Sequence, residues 1–501
     1  MMQKRITKID KFMKNPHGCQ KNVFTYLIQK GLKTSFGKEH NFSKITNYGS
    51  FKQLIPVRTY EEFASYIQRV RNGEKSVLWP GKVKWFAKSS GTTNAISKYI
   101  PVTKESLYNC HFKGGKDMLS LYGNNFPNTD MYNGKGLMLG GAIITSKQGD
   151  FKEGDLSAIL LDEFPFWVNY HRVPDIETAL MGDWEEKLER IASQSVNENI
   201  TNLTGVPSWM LILLQKVLQK SGRKNILEVW PNLELYMHGG INFEPYRKIF
   251  KQLIPSDKMN YLEGYNASEG FFGIQDNNQS EGLLLMLDYG VFYEFIPISA
   301  YNKGSRDTIS LKEVRLNINY ALVISTNGGL WRYLIGDVIQ FTTTMPYRIK
   351  ITGRTKSYIN TFGEELMVDN TDTALLKTCN LLKCEVIEYT VAPIFINEKS
   401  GGHQWLIEFK TPPVDLVVFT TKLDNNLKQL NSDYAAKRSN NLIIGAPEIV
   451  CIENNEFYKW LAKHNRLGGQ YKIPRLCNNR EIVDEILAFK QKFSTKPLAK
   501  G

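Results

Sequence analysis

Over residues 10–80, apolar residues recur at the three-and-four spacing of helices that bury one face. "CQKNVFTYLIQKGLKTSFG", from Cys19, keeps this spacing and ends near a glycine; "TYEEFASYIQRVRNG" repeats it over 59–73. In the second stretch Thr59 stands as N-cap with Glu62 three residues on, and Asn72-Gly73 is the stop. Between residues 83 and 345 short β-like runs take over: "KYIPV", "GLMLGG", "LELYMHGG", "GLLLML", "FYEFIPI" and "YALVIST". Helical stretches such as "PSWMLILLQKVLQKSG" separate them, which predicts an α/β domain with at least one largely parallel sheet. After residue 352 the rhythm changes again. A helix is expected over 367–382, strands at "CEVIEYTVAPIFI" and "HQWLIEFK", and a long polar helix around 414–437. A strand at "PEIVCIE" and a helix at "EFYKWLAKH" complete a small α+β domain of roughly 140 residues. The joining segment, "KITGRTKSYINTFGEE", carries Gly353 and Gly363 as turn markers.

A length of 501 residues predicts two or three domains, and 42% hydrophobic with 23% charged residues is ordinary for a soluble globular protein. The most apolar run, "WMLILL" at 209–214, leads straight into Gln215 and Lys216 and suits a buried helix, not a membrane span. The N-terminal stretch has charges without an apolar core behind them, so a cytoplasmic location is expected. Six scattered cysteines without a CxxC pair predict reduced, mostly buried thiols and no zinc site. The net charge of +13 is spread along the chain with no basic block, and neither zinc-finger spacing nor an RNA-binding aromatic signature is present. A diffusely basic solvated surface is the plainer reading; no nucleic-acid or membrane partner is expected, and a monomer is favoured.

Several chemistries are excluded by spacing. No Gly-Lys pair is followed by Ser or Thr as a Walker loop requires, "GKGLMLG" is not a dinucleotide fingerprint, and GxSxG, HExxH and kinase signatures are missing. "SSGTT" at 89–93 remains. Ser89, Ser90, Thr92 and Thr93 offer hydroxyls, Gly91 admits close backbone approach, and Lys88 adds charge, which together suit an anion nest. Alone, such a pentapeptide is more often a plain turn. Three further stretches change its meaning. In "GYNASEG" (264–270) Tyr265 can stack on a purine, Ser268 can donate to a phosphate and Glu269 can bind Mg²⁺. In "WRYLIGDVI" (331–339) a strand-like run is broken at Gly336, and Asp337 can accept ribose hydroxyls. "GRTK" (353–356) offers Arg354 to ribose or phosphate. Singly, each has a bland explanation: core aromatic, helix-start acid, turn former, surface ion pair. Their order and spacing together do not.

The ordered set SSGTT, YNASEG, YLIGD and GRTK resembles the adenylate-forming superfamily of acyl-CoA synthetases, adenylation domains and luciferases. Within it the chain is most similar to the auxin-responsive Gretchen Hagen family of acyl-acid amido synthetases. "PVRTYEEFASYIQRVRNGE", "GVPSWM", "YGVFYEFIP" and "GGQYKIPRL" extend the likeness over nearly the whole length. The resemblance implies a large N-terminal adenylation domain of luciferase-like α/β type (1–352), a hinge (353–356) and a smaller, mobile α+β domain (357–501). It implies ATP and Mg²⁺ as cofactors, with Ser89, Ser90, Gly91, Thr92 and Thr93 as the phosphate loop. Tyr265, Asn266, Ala267, Ser268 and Glu269 would bind adenine, α-phosphate and metal, and Asp337 the ribose, with Arg354 beside it. Gly239, Gly240 and Ile241 would line the adenine and acyl pockets. Lys472 would reach the acyl carboxylate and α-phosphate, so Lys472, Glu269 and Ser90 are the implied catalytic groups.

The implied reaction activates a small carboxylic acid as acyl-AMP and passes the acyl group to an amine, in that family an amino acid. His171 in "YHRVPD" is a candidate base, although a surface or structural histidine is the commoner role. The plant members carry Ser-Ser-Glu where this chain has Ala267-Ser268-Glu269, and Lys356 stands where acyl-CoA synthetases often have a hinge aspartate. Two alternatives stay open at this level: a ligase using coenzyme A or another thiol, and a non-catalytic nucleotide- or nucleic-acid-binding protein on a decayed scaffold.

Overall fold

The computed structural model describes residues 2–89, 98–145, 151–240, 243–277, 280–355, 358–364, 366–395, 401–439, 443–453, 456–463 and 473–494. They form two compact units, one ending at Thr355 and the other starting at Tyr358. The early helical spacing is realised in Pro16–Gly31, Ser35–Glu39, Tyr48–Leu54 and Tyr60–Arg71. Thr34 restarts the helix after Gly31 by accepting the Gly37 N–H at 2.9 Å. The Thr59 capping box forms as expected, with the Glu62 carboxylate accepting the Thr59 N–H at 2.7 Å.

The strands that position the site, labelled in chain order, are β1 Trp85–Ser89, β2 Lys98–Val102, β3 Lys135–Met138, β4 Ile200–Thr204, β5 Leu235–His238, β6 Asn260–Ala267, β7 Gly270–Ile274, β8 Tyr333–Thr344 and β9 Tyr347–Arg354. Among the described residues, β3 to β9 belong to one twelve-stranded sheet. Its parallel half runs β3, β4, β5, β6, and its antiparallel half continues through β7 and Leu283–Leu285 to β9 and β8. The two inner parallel strands, β4 and β5, are buried nearly throughout, as strands covered on both faces are. The helix Pro207–Ser221 opens on proline and closes at Gly222 in the left-handed region (φ 67°), where a side chain would strain the backbone. β1 and β2 pair antiparallel in a separate four-stranded sheet, Ser89 opposite Lys98.

Tertiary pairing alters four local expectations. "GYNASEG" is not a loop: Asn266 pairs with Phe271 and Ala267 with Gly270, leaving Ser268 and Glu269 as the turn of a hairpin. β8 runs through Gly336 instead of breaking there, and that residue's φ of 99° absorbs the irregularity. Gly353 marks no turn but lies within β9 opposite Val338. The polar helix expected over 414–437 is two helices, Leu416–Leu430 and Ser432–Arg438, because Asn431 leaves helical geometry and caps the second.

The second unit is built on a three-stranded sheet, Glu385–Phe395, Gly401–Thr411 and Glu448–Ile452, with its middle strand almost wholly buried. Alternation along that strand gives it two packed faces. Leu406 joins a core with Phe457, Trp460, Ile486 and Phe489. On the other face His403 stacks near Tyr434 and Phe409 meets Phe419. All six cysteines are free thiols, four of them buried. No described helix is long and apolar enough to cross a membrane.

Candidate active site

The parallel half of the sheet ends at a common edge, where ligands bind in folds of this type. β5 delivers Gly239 and Gly240 there, and β6 delivers the 265–269 hairpin. The two glycines are required for different reasons. A Cβ on Gly239 would sit 2.2 Å from the Gly264 carbonyl oxygen of the neighbouring strand. Gly240 has a φ of 84°.

Three predicted residues meet at one point. β8 and β9 pair so that Asp337 lies opposite Arg354, and the Arg354 Nε is 2.8 Å from the Asp337 Oδ1. The buried Tyr265 hydroxyl donates to the other oxygen, Oδ2, of the same carboxylate. Each carboxylate oxygen has two lone pairs, so Asp337 keeps capacity for further donors such as ribose hydroxyls. Burial and the adjacent Asp337 push the Tyr265 phenol well above its ordinary value, so it stays a donor.

Glu269 lies in the turn between β6 and β7, 9% exposed; among the described residues its carboxylate accepts from its own backbone N–H and, at a long 3.4 Å, from the Tyr333 hydroxyl. Burial raises its pKa, and Asp337 raises it further, while Lys98 and Arg354 pull the other way. A buried carboxylate with so few donors is costly when ionised, a cost that a cation entering with other oxygen ligands would relieve. No cluster of three or more His, Cys, Asp or Glu side chains that could hold a metal occurs among the described residues. A single buried carboxylate suits Mg²⁺, which is held by one or two carboxylates with the rest of its shell from phosphate oxygens and water.

Two members of this cluster were not legible in the sequence. Lys98, first residue of β2, is 7% exposed, and its ammonium lies 5.7 Å from the centre of the Tyr60 ring. A lysine opening the apolar run "KYIPV" was the available signal. Tyr333, fully buried, looked like any core aromatic of an apolar strand. His171 ends the exposed Phe166–His171 turn and has a surface position. Ser90, Gly91, Thr92, Thr93, Ile241, Lys356 and Lys472 lie outside the described residues, as does the side chain of Ser89.

Comparison with known proteins adds the lineage. The GH3 family N-terminal domain model matches residues 5–259, the GH3 family central domain 284–354, and the GH3 family C-terminal domain 369–481. An indole-3-acetic acid-amido synthetase of Arabidopsis thaliana is 23% identical over 96% of this chain and 92% of its own. A jasmonoyl–L-amino acid synthetase of Nicotiana attenuata is 22% identical over 94% of this chain and 93% of its own. Among solved structures, an acyl acid amido synthetase in complex with 2,4-DB superposes with a TM-score of 0.62 at 17% identity, covering 97% of this chain and 96% of the other. A 2-hydroxyisobutyryl-CoA ligase with 2-HIB-AMP and CoA gives 0.57 at 12% identity, covering 95% and 92%. The fold is thus the α/β architecture of these two solved structures, and the chain belongs to the GH3 family.

Proposed function

We propose that the protein is an ATP-dependent acyl-acid amido synthetase. The observation that carries this reading is the convergence of Tyr265, Asp337 and Arg354, with Glu269 beside them, at the carboxyl edge of the sheet of a GH3-family fold.

A free carboxylate resists nucleophiles because it is already negative and would have to expel oxide. Adenylation removes both obstacles. A carboxylate oxygen of the acid bonds to the α-phosphorus of ATP, the bond to pyrophosphate breaks, and acyl-AMP forms. The protein's part is positioning and charge stabilisation. Asp337 accepts from the ribose hydroxyls and is held in place by Tyr265 and Arg354. The 89–93 hydroxyls donate to phosphate oxygens, and Lys472 neutralises charge between the acyl carboxylate and the α-phosphate. Glu269 would hold Mg²⁺, which when bound would screen the phosphate charge. In the second step an amine nitrogen bonds to the acyl carbon, AMP leaves with the bonding electrons, and the nitrogen loses a proton. The amine is assigned to the amino-acid class on the strength of the jasmonoyl–L-amino acid synthetase's name.

A pyrophosphate-exchange screen over aryl and alkyl carboxylic acids tests the first step. Repeating it with amino acids or coenzyme A, with mass analysis of products, tests the second. Acid-dependent exchange and amide products are expected; thioester alone would reassign the acceptor, and absence of exchange with every acid would refute the reading.

A further inference from the structure

Asn266 stands out within the hairpin. It is exposed, yet its Oδ1 lies 3.0 Å from Nδ1 of His111, which is 3% exposed. His111 ends a π-helical turn, Leu107–His111, inside the helical run that continues as Phe112–Asn125. Such widened turns recur at functional sites. The preceding residue, Cys110, accepts the Phe271 N–H on its sulfur at 3.1 Å. Phe271 is the cross-strand partner of Asn266, so successive residues of the turn grip facing residues of the hairpin.

The orientation of the amide follows from the imidazole. Burial holds the His111 pKa down to about 4, so the ring is neutral and carries one proton. Nε2 is buried with no hydrogen-bond partner among the described residues. A bare lone pair there costs less than an unsatisfied N–H, which puts the proton on Nδ1. Nδ1–H then donates to the Asn266 oxygen, which turns the amide NH₂ away from the histidine. Neighbouring residues of a strand point to opposite faces. Tyr265 turns toward Asp337, whereas Asn266 turns toward the helix of His111. If Asp337 marks the nucleoside, as the preceding section has it, the donor on the opposite face serves the other substrate.

We propose that His111 is a positioning residue that fixes the Asn266 carboxamide with its NH₂ outward, making Asn266 a specificity-determining donor to an acceptor oxygen of the acyl acid. This inference rests on the amido synthetase reading of the site. It departs from the sequence expectation in giving the Asn266 side chain to the acid instead of the nucleotide.

The test is pyrophosphate exchange by the full chain, titrating indole-3-acetate, benzoate and further aryl or alkyl carboxylates at saturating ATP, and ATP at saturating acid. Asn266 is exposed, so Asn266→Ala leaves folding intact; it raises KM for the acid about tenfold and leaves KM for ATP within twofold. Asn266→Asp raises the acid KM further, because a carboxylate now faces a carboxylate. His111→Phe shifts the acid KM in the same direction, and His111→Gln restores it, since its amide N–H replaces Nδ1–H. A rise in KM for ATP with an unchanged acid KM would overturn the proposal, as would unchanged constants for both. Wild-type protein that binds ATP yet exchanges pyrophosphate with none of the acids would overturn the synthetase reading itself, a result distinct from either.

Discussion

Two buried carboxylates, one in each unit, have opposite surroundings. Asp424 is 5% exposed and fully engaged: Arg438 grips it through Nε at 2.7 Å and Nη2 at 2.5 Å, the Tyr434 hydroxyl donates at 2.8 Å, and Lys428 adds an ion pair at 2.7 Å. Despite burial, these donors hold its pKa below the usual carboxylate range. Glu269 is about as buried, but among the described residues the one other side chain that donates to it is the Tyr333 hydroxyl at a long 3.4 Å, and its pKa is raised. The first carboxylate is satisfied by the fold. The second is held at a cost to stability, and groups so held cluster at functional sites.

Substitution separates the two most sharply. Glu269→Gln is expected to slow adenylation by about a hundred- to a thousandfold without unfolding the protein, as read by pyrophosphate exchange and thermal melting. Asp424→Asn, which strands Arg438, is expected to cost about 3 kcal/mol in denaturant melts while the remaining folded enzyme keeps its kcat. Equal loss of activity in both variants would erase the contrast.

Removing the ribose acceptor has a smaller effect. Asp337→Asn should raise KM for ATP about tenfold or more with little change for the acid, measured by the same exchange assay. It also strips Arg354 of its ion pair, so a modest fall in melting temperature accompanies it.

The pH dependence of stability should differ in sign. The raised Glu269 pKa means that the folded state holds that proton longer than the unfolded one. Its unfavourable contribution grows as pH rises from the ordinary carboxylate pKa through the folded value. The melting temperature of Glu269→Gln should therefore exceed wild type at neutral pH, the gap closing below pH of about 4. Asp424, with a lowered pKa, stabilises above the ordinary value and loses that contribution as pH falls through the folded one. The gap between wild type and Asp424→Asn should accordingly shrink in acid. The finest test is Tyr333→Phe, which removes only the 3.4 Å contact to Glu269 and should change kcat less than about threefold.

The sequence alone settled much of this. Capping residues and apolar spacing place Tyr60–Arg71 and Pro207–Ser221, because those signals act within a few neighbouring residues. The four separated motifs name the fold family, because nucleotide chemistry needs those residue types in that order. Whether Gly353 is a turn or part of a strand, and whether Asn266 belongs to a loop or a ladder, was decided by partners such as Val338 and Phe271, which local pattern does not reveal. The same holds for charge. The motif singled out Glu269, but nothing along the chain shows that its pKa is raised and that of Asp424 lowered, since a carboxylate's pKa depends on the donors the fold brings to it. Nor could the chain order show that Lys98 and Tyr333 stand beside Glu269, or that His111 holds Asn266 from 155 residues away. Sequence specifies which groups exist and what local structure carries them; only packing decides which are satisfied and which are left waiting.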